Sequence, residues 1–148
     1  MDEKKFQEIL RFAIEKEIVS VDFYTQASQV VKYSGTKELF LDFAEQEKGH
    51  RKLLEDLSMG KVIQAKIEPI PNLKISDYLI DVGFKPDLSY AEILRMAMKR
   101  EEQSVKLYTA LKEPVQDEGL KKVFFFLVQE ETKHKYRLEK IYDDEILK

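Results

Sequence analysis

The chain holds two histidines, and each stands three residues after a glutamate, in Glu47-Lys48-Gly49-His50 and Glu131-Thr132-Lys133-His134. On a helix, residues three apart share a face, so the carboxylate and imidazole of each pair can reach one metal ion. Each pair follows a helical segment carrying Glu-x6-Tyr: Glu17 to Tyr24, then Glu101 to Tyr108. The two sets stand at a constant offset of 84 residues (101−17, 131−47, 134−50). Two Glu-x-x-His helices, each partnered by a glutamate helix, supply the ligands of a two-metal carboxylate site inside a four-helix bundle.

Charge arithmetic favours metal. Glu17, Glu47, Glu101 and Glu131 all fall on apolar stripes, where a carboxylate is unstable unless paired, protonated or bound to a cation. Four of them around one point are strongly unfavourable without counter-ions. Two divalent cations offset four negative charges, and neutral His50 and His134 complete the shell. Oxygen and imidazole ligands without thiolate suit two iron ions, with manganese or zinc also compatible. A zinc-protease HExxH motif needs histidine at both ends; here Glu47 and Glu131 hold the first places. Tyr24 and Tyr108, about two turns beyond Glu17 and Glu101, have two readings. They fill the core with a hydroxyl at one end, or they hydrogen-bond a ligand carboxylate.

Four amphipathic helices must carry these groups. Phe6, Ile9, Leu10, Ala13, Val21, Tyr24, Ala27 and Val31 recur at helical spacing over residues 4–31, with Glu17 on the stripe and Glu15 and Lys16 off it. A loop at Tyr33-Ser34-Gly35 leads to a second helix over 36–57, with Leu39, Phe40, Phe43, Glu47, His50, Leu54 and Leu57 on one face. A short hairpin puts Glu17 about 21 Å and Glu47 about 17 Å from the turn, facing each other near mid-bundle. Ser58 to Pro86 holds Gly60, Pro69, Pro71, Gly83 and Pro86, with a short helix expected near Ile75–Asp81. That is longer than antiparallel neighbours require, and predicts a long crossover along the bundle.

The third helix starts after Asp87 or Ser89, both good N-caps. It carries Ile93, Leu94, Ala97, Met98, Glu101, Val105, Tyr108 and Leu111, and ends before Pro114. Asp117-Glu118-Gly119 leads into the fourth, with Leu120, Val123, Phe124, Leu127, Glu131, His134, Leu138 and Ile141 on one face and a solvated end at Asp143-Asp144-Glu145. Phe124-Phe125-Phe126 reads chiefly as core, although Phe126, which replaces Asp42 of the first copy, can point outward to a subunit contact. The repeat extends beyond the ligands without a gap. Glu8-Ile9-Leu10-Arg11 matches Glu92-Ile93-Leu94-Arg95, Ser20-Val21 matches Ser104-Val105, and Phe40 matches Phe124. The chain reads as a duplicated helical hairpin with a pseudo-two-fold axis through the metal site.

Composition sets the outer bounds. At 148 residues, with 43% hydrophobic and 36% charged residues but only 5 Gly and 4 Pro, the expectation is a single all-α domain over residues 1–148. A net charge of −3 supplies no basic field for nucleic acid or an anionic membrane. The absence of cysteine removes disulfides, thiolate catalysis and cysteine-held iron from this chain. No long apolar run or charged-then-apolar leader is seen, so a cytoplasmic location without membrane association is expected.

At these residues the sequence resembles the rubrerythrin-like branch of the ferritin-like superfamily over essentially its whole length. The resemblance implies a ferritin-like bundle in which Glu47 and Glu131 bridge two metals. Glu17 and Glu101 would then be terminal carboxylates, with His50 and His134 binding one metal each. Rubrerythrins proper add a rubredoxin-like domain with a four-cysteine iron; this chain has no cysteine. They also carry an extra glutamate, tied to redox-dependent iron movement, where this chain has Ser104, mirrored by Ser20. The six-residue set is closer to the symmetric pattern of bacterioferritin-type centres.

The expected function is therefore a non-haem di-iron oxidoreductase reacting with hydrogen peroxide or dioxygen. It would be supplied with electrons by a separate donor protein and work as a homodimer. Two readings from other classes stay open: an iron-binding ferroxidase or storage protein, and a helical interaction module with a vestigial site.

Overall fold

The computed structural model describes residues 3–57, 84–85 and 87–147. Helix α1 spans Glu3–Val30, α2 Ser34–Asp56, α3 Tyr90–Lys112 and α4 Glu118–Glu145. Connections of three and five residues fold α1 against α2 and α3 against α4 as antiparallel hairpins, which meet along narrower α1–α3 and α2–α4 seams. The short helix expected near Ile75–Asp81 lies outside the described residues.

Local chemistry accounts for the helix ends. Ser89 and Glu92 form a reciprocal capping box, Ser89 Oγ accepting from Glu92 N at 3.2 Å and Ser89 N donating to Glu92 Oε1 at 3.1 Å. Asp117 caps α4 by accepting from Leu120 N at 2.8 Å. Helix α3 stops at Lys112, two residues before Pro114, which has no N–H to continue it. Helix α2 begins two residues earlier than expected, at Ser34, with extended Tyr33 as its N-cap and no side-chain cap. Gly35 therefore belongs to the first turn. Backbone N–H groups there lack intrahelical partners whatever the residue, so a glycine is little penalised.

The core is split into two apolar clusters. One gathers Phe6, Ile9, Leu10 and Ala13 with Leu54, Leu107, Tyr108, Leu111, Phe124 and Leu127. The other gathers Phe23, Tyr24 and Ala27 with Phe40, Phe43, Ile93, Leu94, Ala97 and Leu138. The repeat exchanges them: Ile9, Leu10 and Ala13 map onto Ile93, Leu94 and Ala97, while Leu107, Tyr108 and Leu111 map onto Phe23, Tyr24 and Ala27. Leu54 maps onto Leu138, and Phe124 and Leu127 onto Phe40 and Phe43. A duplication that swaps the two ends of the bundle is a pseudo-two-fold axis crossing it at mid-height, between the clusters.

Burial differs from the sequence reading at several positions. Phe125 is 49% exposed and not core, so only Phe124 of that run is buried; Phe126, 43% exposed, points outward as its match to Asp42 allowed. Successive helical residues turn by about 100°, and a narrow seam can take one of the three. Val21, Met98, Val105, Val123 and Ile141 are half-buried at the edges of their stripes. Phe23, Arg100, Gln103 and Leu107 are buried without having been expected to be. Lys16 is half-buried and does not point clear of the bundle; burial holds its ammonium down to about 8.

Candidate metal centre

All six sequence-predicted ligands converge in the layer between the clusters. Glu17 comes from α1, Glu47 and His50 from α2, Glu101 from α3, and Glu131 and His134 from α4; none is more than 3% exposed. They form two overlapping groups of four, Glu17-Glu47-His50-Glu131 and Glu47-Glu101-Glu131-His134, each able to bring one ligand atom per residue within 4.8 Å of the others. Glu47 and Glu131 belong to both groups.

Most of the buried side-chain atoms left over after hydrogen bonding are those a metal needs. Both carboxylate oxygens of Glu47 and of Glu131 are buried without a hydrogen-bond partner, as are Oε2 of Glu17, Oε2 of Glu101 and Nδ1 of both histidines. His50 Nδ1 lies 2.7 Å from Glu131 Oε1 and 3.1 Å from Glu47 Oε1. His134 Nδ1 lies 3.4 Å from both Glu47 Oε1 and Glu101 Oε1. None of these approaches has hydrogen-bond geometry. Orphaned buried oxygens are costly and rare in native proteins. The donor set of four carboxylates and two imidazoles fits two hard-to-borderline divalent ions.

The tyrosines settle which oxygens are free. Tyr24 donates to Glu101 Oε1 at 2.5 Å, and Tyr108 donates to Glu17 Oε1 through a shorter contact. Each bond crosses between the hairpins and engages one oxygen of its glutamate. Glu17 and Glu101 thus keep one unbonded oxygen each, while Glu47 and Glu131 keep two each. Both features of the two tyrosine readings are present: each hydroxyl bonds a buried glutamate of the layer, and both rings pack in the core.

The electrostatics of the layer follow from burial. Burial, reinforced by the neighbouring carboxylates, pushes Glu47 and Glu131 well above the usual carboxylate range. Glu17 is raised by burial as well. Glu101 differs: burial pushes it up, but contacts with His134, Glu131 and Tyr24 outweigh burial and bring it below the ordinary value. His50 is raised, its contact with Glu131 overcoming the opposing effect of burial. Both tyrosines are held well above their usual range by burial and adjacent carboxylates, so they remain donors.

Three surrounding residues were not singled out from the sequence. Gln46 Oε1 lies 2.5 Å from His134 Nε2, the Phe43 ring stacks on His134 at 3.9 Å, and the Arg100 guanidinium lies over Phe23 at 4.9 Å. Gln46 is exposed and polar like most of its helix face, so only its position across the α2–α4 seam sets it apart. Among the described residues no helix is long and apolar enough to cross a membrane.

A bundle of two hairpins with a long α2-to-α3 connection and a buried glutamate–histidine layer is ferritin-like. The chain belongs to the rubrerythrin family, whose sequence profile matches residues 8–142. Among solved structures it is similar to a hypothetical protein from Pyrococcus furiosus, at 28% identity and a TM-score of 0.75, covering 93% of this chain and 88% of that one. It is also similar to a Thermotoga maritima protein proposed to be a ferritin-like diiron-carboxylate protein, at 26% identity and a TM-score of 0.71, covering 92% and 93% of the two chains. A manganese catalase from Anabaena shares the fold at 18% identity and a TM-score of 0.66, over 93% of this chain and 72% of its own. No curated protein sequence matches significantly.

Proposed function

We propose that this single-domain chain is a non-haem di-iron oxidoreductase whose oxidant is hydrogen peroxide or dioxygen. The observation that carries the reading is the pattern of unbonded atoms: two free oxygens on each of Glu47 and Glu131, one on each of Glu17 and Glu101, and Nδ1 on each histidine. Glu47 and Glu131 would bridge, Glu17 and Glu101 would bind terminally, and His50 and His134 would bind one ion each. When bound, two Fe(II) ions supply one electron each, and with two protons these reduce one hydrogen peroxide to two waters.

The chain's own residues do the rest. Tyr24 and Tyr108 fix the rotamers of Glu101 and Glu17 and hold a proton on the outer oxygen side of each. The apolar clusters above and below exclude bulk water from the layer and sharpen every charge interaction within it. Reducing electrons would come from a separate donor protein. The exposed Phe125 and Phe126 on α4 support a homodimer as the working unit.

Anaerobic Fe(II) loading, followed by peroxide and dioxygen in parallel, tests the reading. Two irons per chain and a rise in near-ultraviolet absorbance with one oxidant are expected; a chain that binds no iron or manganese and shows no oxidation excludes it. A second reading, a ferroxidase or storage protein, is favoured by Ser104, a buried serine where the family's peroxidases have a glutamate. Storage requires a hollow shell of many subunits, so a mass of monomer or dimer rules that version out.

A further inference from the structure

The six ligands obey the pseudo-two-fold, and so do the tyrosines that hold them, but the surroundings of the histidines do not. His134 is fixed twice from α2: its Nε2 bonds Gln46 Oε1 at 2.5 Å, and its ring stacks on Phe43 at 3.9 Å with 24° between planes. The repeat puts Glu130 and Leu127 in the corresponding places around His50. Leu127 offers no ring, and the Glu130 carboxylate is engaged with Lys133 Nζ at 3.4 Å. His50 Nε2 has no hydrogen-bond partner among the described residues, and its aromatic neighbour on α4 is the half-exposed Phe126, edge-on at 6.1 Å.

An imidazole that ligates through Nδ1 must carry its proton on Nε2. An acceptor at Nε2 selects that tautomer and fixes the ring plane before the ion arrives. His134 has such an acceptor in Gln46, and among the described residues His50 has none. A stacked ring adds a second restraint, so ordering entropy is lost on folding and not on binding. We propose that Gln46 is a positioning residue that makes the Glu47-Glu101-Glu131-His134 position the stronger of the two metal positions and the first to fill. The inference rests on the di-metal reading and adds an order of loading to a site whose ligands alone are symmetric.

Cobalt(II) titration of the full chain, followed by calorimetry and by visible absorbance, tests it. The wild type is expected to bind two Co(II) in two resolved steps. Gln46→Leu should weaken the first step by about 10–100-fold and merge it with the second. Gln46→Glu, which keeps an acceptor, should preserve the first step. Glu130→Leu should leave both steps in place. A wild-type isotherm in Gln46→Leu overturns the proposal, as does loss of the first step in Glu130→Leu, or two equivalent ions in the wild type. Those results leave the di-metal reading standing, whereas a wild type that binds no Co(II) overturns both.

Discussion

Tyr24, on the first helix of the first hairpin, donates its hydroxyl proton to Glu101 on the first helix of the second, across a separation of 77 residues. Tyr108 returns the same bond to Glu17. Each hairpin therefore holds a buried glutamate of the other. Tyr24→Phe and Tyr108→Phe should have matching effects. Each leaves a buried carboxylate oxygen without its donor, costing roughly 1–3 kcal/mol of metal-free stability and about 10–100-fold in metal affinity. Denaturant unfolding and Co(II) titration of the two variants check this, and unaltered affinity in both would show that the tyrosines only fill space.

Shared and unshared ligands should separate in metal stoichiometry. Glu47 belongs to both groups of four, so Glu47→Ala should lose both ions. Glu17 belongs to one, so Glu17→Ala should retain about one ion per chain, held by Glu47, Glu101, Glu131 and His134. Metal analysis after exhaustive dialysis distinguishes the two, and equal losses would contradict the overlap.

The metal-free protein should become less stable as pH rises from mildly acidic toward neutral. Glu47, Glu131 and Glu17 are raised in the folded state, so each favours folding while protonated. Their contribution fades as pH climbs from the unfolded value, about 4.3, through the folded one. His50 is raised too, and its contribution is lost in the same direction above its unfolded value. Glu101, which is lowered, works the opposite way and is outnumbered. Thermal melts at pH 5 and pH 7 after chelation should show the higher midpoint at pH 5. Added Fe(II) or Mn(II) under anaerobic conditions should reverse the order, because cations bind the deprotonated carboxylates.

The duplication predicts paired stabilities in the core. Phe124 and Phe40 are both fully buried and occupy equivalent places in the two clusters, Phe124 edge-on to Phe6 and Phe40 against Tyr24. Phe124→Ala and Phe40→Ala should each cost about 3–5 kcal/mol. Phe125→Ala, at a half-exposed position, should change stability by about 0.5 kcal/mol or less. Chemical denaturation measures all three, and a large loss at Phe125 would mean that its face is covered.

The helices and the six convergent ligands were legible because one physical conflict marked them. Charged groups on apolar stripes, repeated without a gap, have few stable explanations. The reach of Tyr24 to Glu101 was harder to see, because a seven-residue spacing gives the face and not the partner across the bundle. Gln46 left no local signal, and the stripe gave the burial of Phe43 but not the imidazole it stacks on. Their role depends on how α2 and α4 meet, which periodicity does not encode. Phe125 misled for a related reason: hydrophobicity states what a side chain prefers, while the width of a seam decides how many residues it accepts. The early start of α2 at Ser34 hid behind Gly35, whose cost vanishes in a first turn.

The exchange of the two apolar clusters under the repeat carries a consequence for inheritance. After a duplication, one copy is ordinarily free to decay while the other works. Here the opening turns of each hairpin pack with the far end of its twin, and Glu47 and Glu131 belong to both groups of four. A lesion in either copy is felt by both halves, so the two stretches of coding sequence answer to selection as a single unit.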